Sequence, residues 1–175
     1  DGQMKERVDP PFPLQRYLGA SHWFLRDSNM SVDFPTNASF ATKFLSLETG
    51  KNVDGVIAFD VTFLQQLLGL TGPLQLTDYK ETVTSENVFL LTQSYVQDDF
   101  FPGSTQKKDF LRSLFNALSA KLADRSTLPY LSLAKAVTQS LSEKHIMLAV
   151  PDASIQHLFS VNNLSSSLLD TREQE

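Results

Sequence analysis

Arg26, Asp27, Asn29, Asp33 and Asn37 crowd into one short stretch, "RDSNMSVDFPT", that follows the aromatic run "HWFL" and leads into an amphipathic segment. A guanidinium can grip an oxyanion with two parallel N–H donors, and amide side chains add further contacts. An anion such as phosphate is therefore one ligand the stretch suits. The competing reading is local: Asp33 caps the helix that follows, Asn29 and Ser31 bond the turn, and Arg26 pairs with Asp27 or Asp33. A second basic group, Lys107, Lys108 and Arg112, stands at the start of another helical pattern. Lys108 and Arg112 are four residues apart and share a face, near the end of the helix whose dipole favours anions. That trio is also read as a solvated flank of an apolar stripe.

Other chemistries lack their marks. The three histidines, His22, His145 and His157, are too far apart for two ligands on one helix turn, so no metal site is expected. His145 and His157 read as ordinary boundary residues, for want of nearby partners. No Gly-rich phosphate loop, dinucleotide fingerprint or serine elbow occurs, and nothing points to a cofactor. Asp98 and Asp99 form an acidic pair, and adjacent loop carboxylates usually diverge into solvent. Asn29, Asn37 and Asn163 head Asn-x-Ser triplets, which matter only along a eukaryotic secretory route. No residue is assigned a catalytic role.

The elements that must hold these residues are set by 175 residues with 41% apolar content and thirteen Phe, enough for one ordinary domain with a real core. A net charge of -5 argues against nucleic acid or anionic lipid as a general partner. The absence of Cys removes disulfides, thiolate metal sites and a thiol nucleophile. No apolar run approaches the roughly 18 residues of a membrane span. The opening "DGQMKERVDPPFPLQRYLG" reads like the interior of a longer protein, with targeting information upstream.

The periodicity predicts a short strand at "HWFL", a helix from Pro35 to Thr49, a buried central strand at "VDGVIAFD" and a helix from Val61 to Gly69 or Gly72. "PLQLTDY" is a second strand, and "VTSENVFLLTQSYVQ" a helix opened by Thr84 or Ser85 and broken by "FFPGS". The longest helix is "STQKKDFLRSLFNALSAKLADR", with Phe110, Leu111, Leu114, Phe115, Leu118 and Leu122 on one face. "LPYLSLAKAVTQSLSEK" is another helix, "HIMLAV" a last strand, and "DASIQHLFSV" a final helix capped by Asp152. The expectation is a single layered α/β/α domain over residues 1–162 with a short-stranded central sheet, followed by a flexible tail over 163–175.

Three motifs, "LRDSNMSVDFPT", "TGKNVDGVIAFD" and "LLGLTGP", in this order and spacing resemble the bacterial family known as domain of unknown function 4012, over residues 1–160. The resemblance implies a cell-envelope protein, held by an N-terminal transmembrane helix with this domain outside the cytoplasm, and no assigned reaction. The chain would then be the C-terminal part of a larger envelope domain.

A more distant similarity is to the LytR-CpsA-Psr family, through "LRD", "VDGVIAFDVTFLQQLLGLTGPLQL" and "STQKKDFLRSLFNALSAKLAD". Those enzymes move glycopolymers from a polyprenyl pyrophosphate carrier to the cell wall. The resemblance places Arg26 where an arginine meets pyrophosphate, and Lys107, Lys108 and Arg112 near a basic helix start. The segment that family fills with arginines is here "LTQSYVQDDFF", which has none. That departure favours a binding or assembly module, its partner a polyprenyl-phosphate-linked glycan, a wall polymer or an envelope protein. The alternative is a phosphotransferase-like enzyme completed by residues upstream.

Overall fold

A computed structural model of the chain describes residue 4 and residues 6–97, 106–124 and 128–168. Their order is α1 (Phe12–Leu18), a 3-10 turn (Leu25–Asp27), α2 (Phe34–Thr49), β1 (Val56–Phe59), α3 (Val61–Thr71), β2 (Leu74–Leu76), β3 (Glu81–Val83), α4 (Val88–Gln97), α5 (Gln106–Ala123), α6 (Tyr130–Ser142), β4 (Ile146–Ala149) and α7 (Ala153–Val161). The fold is thus mixed α/β, with seven α-helices and two small sheets among the described residues. No helix among them is long and apolar enough to cross a membrane.

Three helices start on an aspartate whose carboxylate accepts an amide of the first turn. Asp33 accepts from Thr36 N, Asp60 from Phe63 N and Asp152 from Ile155 N. These amides have no partner within the helix, so the carboxylate satisfies them and complements the dipole. α2 ends at Gly50, whose φ of 70° returns its N–H to Ser46 O, a left-handed conformation that costs a residue with a Cβ.

Two compact units result, 1–58 with 147–175 and 59–146. In the first, Phe34 and Ala38 of α2 pack on Val56 and Ala58 of β1 and Met147 and Ala149 of β4. Trp23 lies against Phe40 and Phe44 of the same helix, with ring centroids 4.7 and 5.0 Å away. Gly55 immediately precedes β1, and a Cβ there would meet Ala149 O at 2.8 Å. In the second unit, Leu64, Leu67 and Leu68 of α3, the β2–β3 hairpin, Val88 of α4 and Phe110, Leu114 and Leu118 of α5 form one cluster. Tyr95 stacks on Phe110 at 4.3 Å, and Tyr79 meets both rings edge-on. The hairpin is antiparallel, Leu74 opposite Val83 and Leu76 opposite Glu81. Its second strand is missing from the sequence reading because three residues after a charged turn carry no periodicity.

Four expectations are corrected. The strands do not share one central sheet: β1 pairs with β4 and β2 with β3. "VDGVIAFD" is not a buried central strand. In a two-stranded sheet every strand has a free edge, and β1 alternates half-buried with exposed, Ile57 being 68% and Phe59 47% exposed. "HWFL" is no strand, because its rings serve side-chain packing and its last residue enters the 3-10 turn. Phe115, placed with the core face of α5, is 59% exposed and Leu111 38% exposed. At 100° per residue Phe115 lies well round the helix from Phe110 and Leu114, beyond the arc their neighbours cover.

The chain past Asn162 is held as far as Leu168. Leu148 N donates to Leu164 O, Phe34 N to Ser166 O and Leu168 N to Asp33 Oδ1. Residues 169–175 lie outside the described residues.

Candidate anion-binding site

The polar stretch is pinned from both sides. Trp23, seated on α2, donates through Nε1 to Asp27 O at 2.9 Å, and its amide donates to Val8 O. Downstream, Asn37 is 8% exposed and spends its whole amide on the loop. Its Oδ1 accepts from Ser31 N, and its Nδ2 donates to Asn29 Oδ1 and Ser31 O at 2.8 and 2.7 Å. Asp33 is equally engaged: Oδ2 takes the amide and hydroxyl of Thr36, and Oδ1 the amide of Leu168. Partial burial pushes the Asp33 carboxyl upward, but the Thr36 hydroxyl and the Leu168 and Thr36 amides outweigh it and hold it below the ordinary range. Asn29 and Asp33 are therefore occupied in holding the loop, and Asn37 is no exposed acceptor for a glycan.

Arg26 is left outward. Its side chain is 61% exposed, its guanidinium carbon lies 4.8 Å from the Phe24 ring centroid, and its Nε is 3.5 Å from Asp27 Oδ2. The other members of the group are brought by the end of α1. Gly19 turns the chain with φ 62°, and Ser21 and His22 follow, joined Oγ to Nδ1 at 3.0 Å. The His22 ring stacks on Phe24 at 5.9 Å. Arg26, Asp27, Ser21, His22, Phe24 and Leu18 line a shallow cavity of about 320 Å³. It offers a guanidinium fork, a hydroxyl and an imidazole to an anion, with one carboxylate at the rim. Ser21 and His22 were not among the sequence candidates. Their only signal was adjacency to the aromatic run, and it is the turn after α1 that brings them to the lining of the same cavity as Arg26.

Arg26 belongs to the first unit and Lys107, Lys108 and Arg112 to the second. Arg112 is exposed, with Asp109 of its own helix 4.0 Å away. The side chains of Lys107 and Lys108, and Asp98 and Asp99 entirely, lie outside the described residues.

One pairing escaped the sequence. His145 Nδ1 lies 2.7 Å from Asp60 Oδ2, and its Nε2 is 3.7 Å from Glu143 Oε2, so this histidine has two carboxylate partners rather than none. Burial raises the Asp60 carboxyl, and the hydrogen bond from His145 with the amides of Phe63 and Thr62 brings it below the ordinary value. Asp60 and His145 are 85 residues apart and meet because β1 and β4 pair. Among the described residues no three His, Asp or Glu are grouped to hold a metal ion.

No curated protein and no solved structure matches the chain. A family model does, over residues 3–96, which takes in α1, the polar loop, α2, β1 and the elements through most of α4. Since that match spans more than half of the 175 residues and contains all three motifs, the chain belongs to the family described as Protein of unknown function (DUF4012).

Proposed function

We propose that this chain is an extracytoplasmic module of the bacterial cell envelope that binds a phosphate-bearing partner at Arg26, with the protein anchored to the membrane by a segment outside this sequence. The partner class is a polyprenyl-phosphate-linked glycan or wall polymer. The observation that carries it is the Arg26 guanidinium, exposed, stacked on Phe24 and sharing a cavity with Ser21 and His22. A planar fork held by a ring presents two parallel donors to two phosphate oxygens, and a neutral or charged imidazole supplies a third. The acidic balance of the chain supports recognition confined to this spot.

The test is calorimetric titration of the chain with pyrophosphate and with a short polyprenyl phosphate, repeated on Arg26→Lys and Arg26→Ala. Binding should weaken about ten-fold or more in Arg26→Ala and by less in Arg26→Lys, which keeps the charge and loses the fork. Melting temperatures should move little, because Arg26 is mostly solvated. Absence of binding by the unaltered chain, or equal binding by Arg26→Ala, would remove the proposal.

A further inference from the structure

α1 projects from the first unit: six of its seven residues are exposed, and only Leu14 is buried. Three of the exposed residues are large and apolar, Phe12 at 69%, Tyr17 at 77% and Leu18 at 75%. At about 100° per residue, Tyr17 and Leu18 emerge about 60° and 40° to either side of Leu14 and Phe12 about 160° from it, so apolar groups meet solvent on three sides of one helix. The Phe12 and Tyr17 rings meet edge-on at 6.4 Å, and Leu18 lines the cavity that holds Arg26, so the apolar surface continues to the anion site. Charge follows the same face. From Pro10 to Arg26 the chain carries two arginines, one histidine and no carboxylate, although its net charge is -5. The flanking Asp9 and Asp27 are paired, with Arg7 at 3.0 Å and Arg26 at 3.5 Å. Arg16 is exposed four positions on from Phe12, on the same side of the helix.

We propose that α1 and the rim of the Arg26 cavity dock on a phospholipid surface, with Phe12, Tyr17 and Leu18 entering the boundary between headgroups and acyl chains and Arg16 and Arg26 meeting lipid phosphates. A rigid partner, or a second copy of this chain, covers one side of a helix, whereas a fluid bilayer closes round all three. Tyrosine carries a hydroxyl on an apolar ring and arginine a charged head on an apolar stem, so both suit that boundary. Seven helical residues rise only about 10 Å, far short of a bilayer core, so the contact is one of surface and not a span. The acidic balance of the whole chain opposes lipid attraction at large and confines it to this face. The headgroup contact rests on the Arg26 reading above, and the apolar contact rests on α1 alone.

The experiment is co-sedimentation of the full chain with vesicles of phosphatidylglycerol and phosphatidylcholine in equal parts, run beside a pyrophosphate titration. The chain should bind the vesicles. Phe12→Ser combined with Tyr17→Ser should bind them at least about ten-fold more weakly, with melting temperature and pyrophosphate affinity unchanged, since both residues are exposed and neither lines the cavity. Arg16→Gln should weaken vesicle binding about five-fold. Because the chain has no Cys, Leu18→Cys takes a single environment-sensitive dye, whose emission should shift to the blue on the vesicles. Failure of the chain to bind, equal binding by the double variant or an unshifted dye would overturn the proposal. Dimerisation that the double variant loses, without vesicle binding, would also overturn it and assign the face to a second copy. Vesicle binding without pyrophosphate affinity would remove the Arg26 reading and leave docking through α1 standing, and pyrophosphate affinity without vesicle binding would do the reverse.

Discussion

The sharpest test of the second core sets two residues of α5 against each other. Leu114 is 3% exposed and sits in the cluster with Leu64, Leu67, Phe110 and Leu118, whereas Phe115, its sequence neighbour, is 59% exposed. Leu114→Ala removes roughly three methylene-sized groups at about 0.8 kcal/mol each, or roughly 2.4 kcal/mol. The hole left behind adds to this at about 24 cal/mol per Å3 of whatever volume does not collapse. A loss of about 2.5 to 4 kcal/mol follows, near the middle of the range for Leu→Ala in well-packed cores. Phe115→Ala uncovers little buried surface and should cost under about 1 kcal/mol. Urea unfolding followed by near-ultraviolet circular dichroism reports on the second unit through Tyr95, which stacks on Phe110, and Tyr79, which meets Phe110 edge-on. The midpoint should fall markedly in Leu114→Ala at unchanged slope and barely move in Phe115→Ala. Equal losses in the two variants would refute the assignment of the core face.

Asp33 should give the first unit an acid-dependent component: its folded carboxyl lies below its unfolded value, so its stabilisation is complete above the unfolded pKa of about 3.9 and is lost as pH falls through the lower folded one. Asp33→Ala should therefore cost about 1 kcal/mol at neutral pH through the lost cap, with the gap to the parent closing in strong acid, and a gap that persists there would contradict this. Asn37→Ala should destabilise by about 1 to 3 kcal/mol, because the Ser31 amide and Asn29 carbonyl lose their partner inside the loop; a melt matching the parent would show the loop holds without it. Gly55→Ala should cost about 1 to 3 kcal/mol, since its Cβ meets backbone Ala149 O at 2.8 Å and forces a shift; a neutral thermal melt would mean the strands part freely.

Most helix positions, and the starts at Asp33 and Asp152, were legible because they depend on contacts within one turn, whereas α4 begins at Val88, past the turn at Ser85–Asn87, and not at Thr84 or Ser85. An aspartate at Asp33, Asp60 or Asp152 bonds an amide three residues on whatever the rest of the chain does. The period of α5 likewise named Phe110, Leu114 and Leu118, although the same period admitted Phe115, since a repeat marks an apolar arc and only the neighbours decide how much of it is covered. Strand partners were not legible at all. A run such as "VIAF" suits a central strand or an edge equally, and only the pairing of β1 with β4 leaves Ile57 in solvent and brings Asp60 to His145. The polar stretch shows the same division. Its residue types promised either a site or a helix entry, and the choice fell to contacts across long separations: Leu168, 135 residues on, takes one oxygen of Asp33, and the turn after α1 sets Ser21 and His22 beside Arg26. Hydrogen bonds inside one turn are encoded where they are made, whereas those that close a site depend on which distant segments the packing brings within 3 Å.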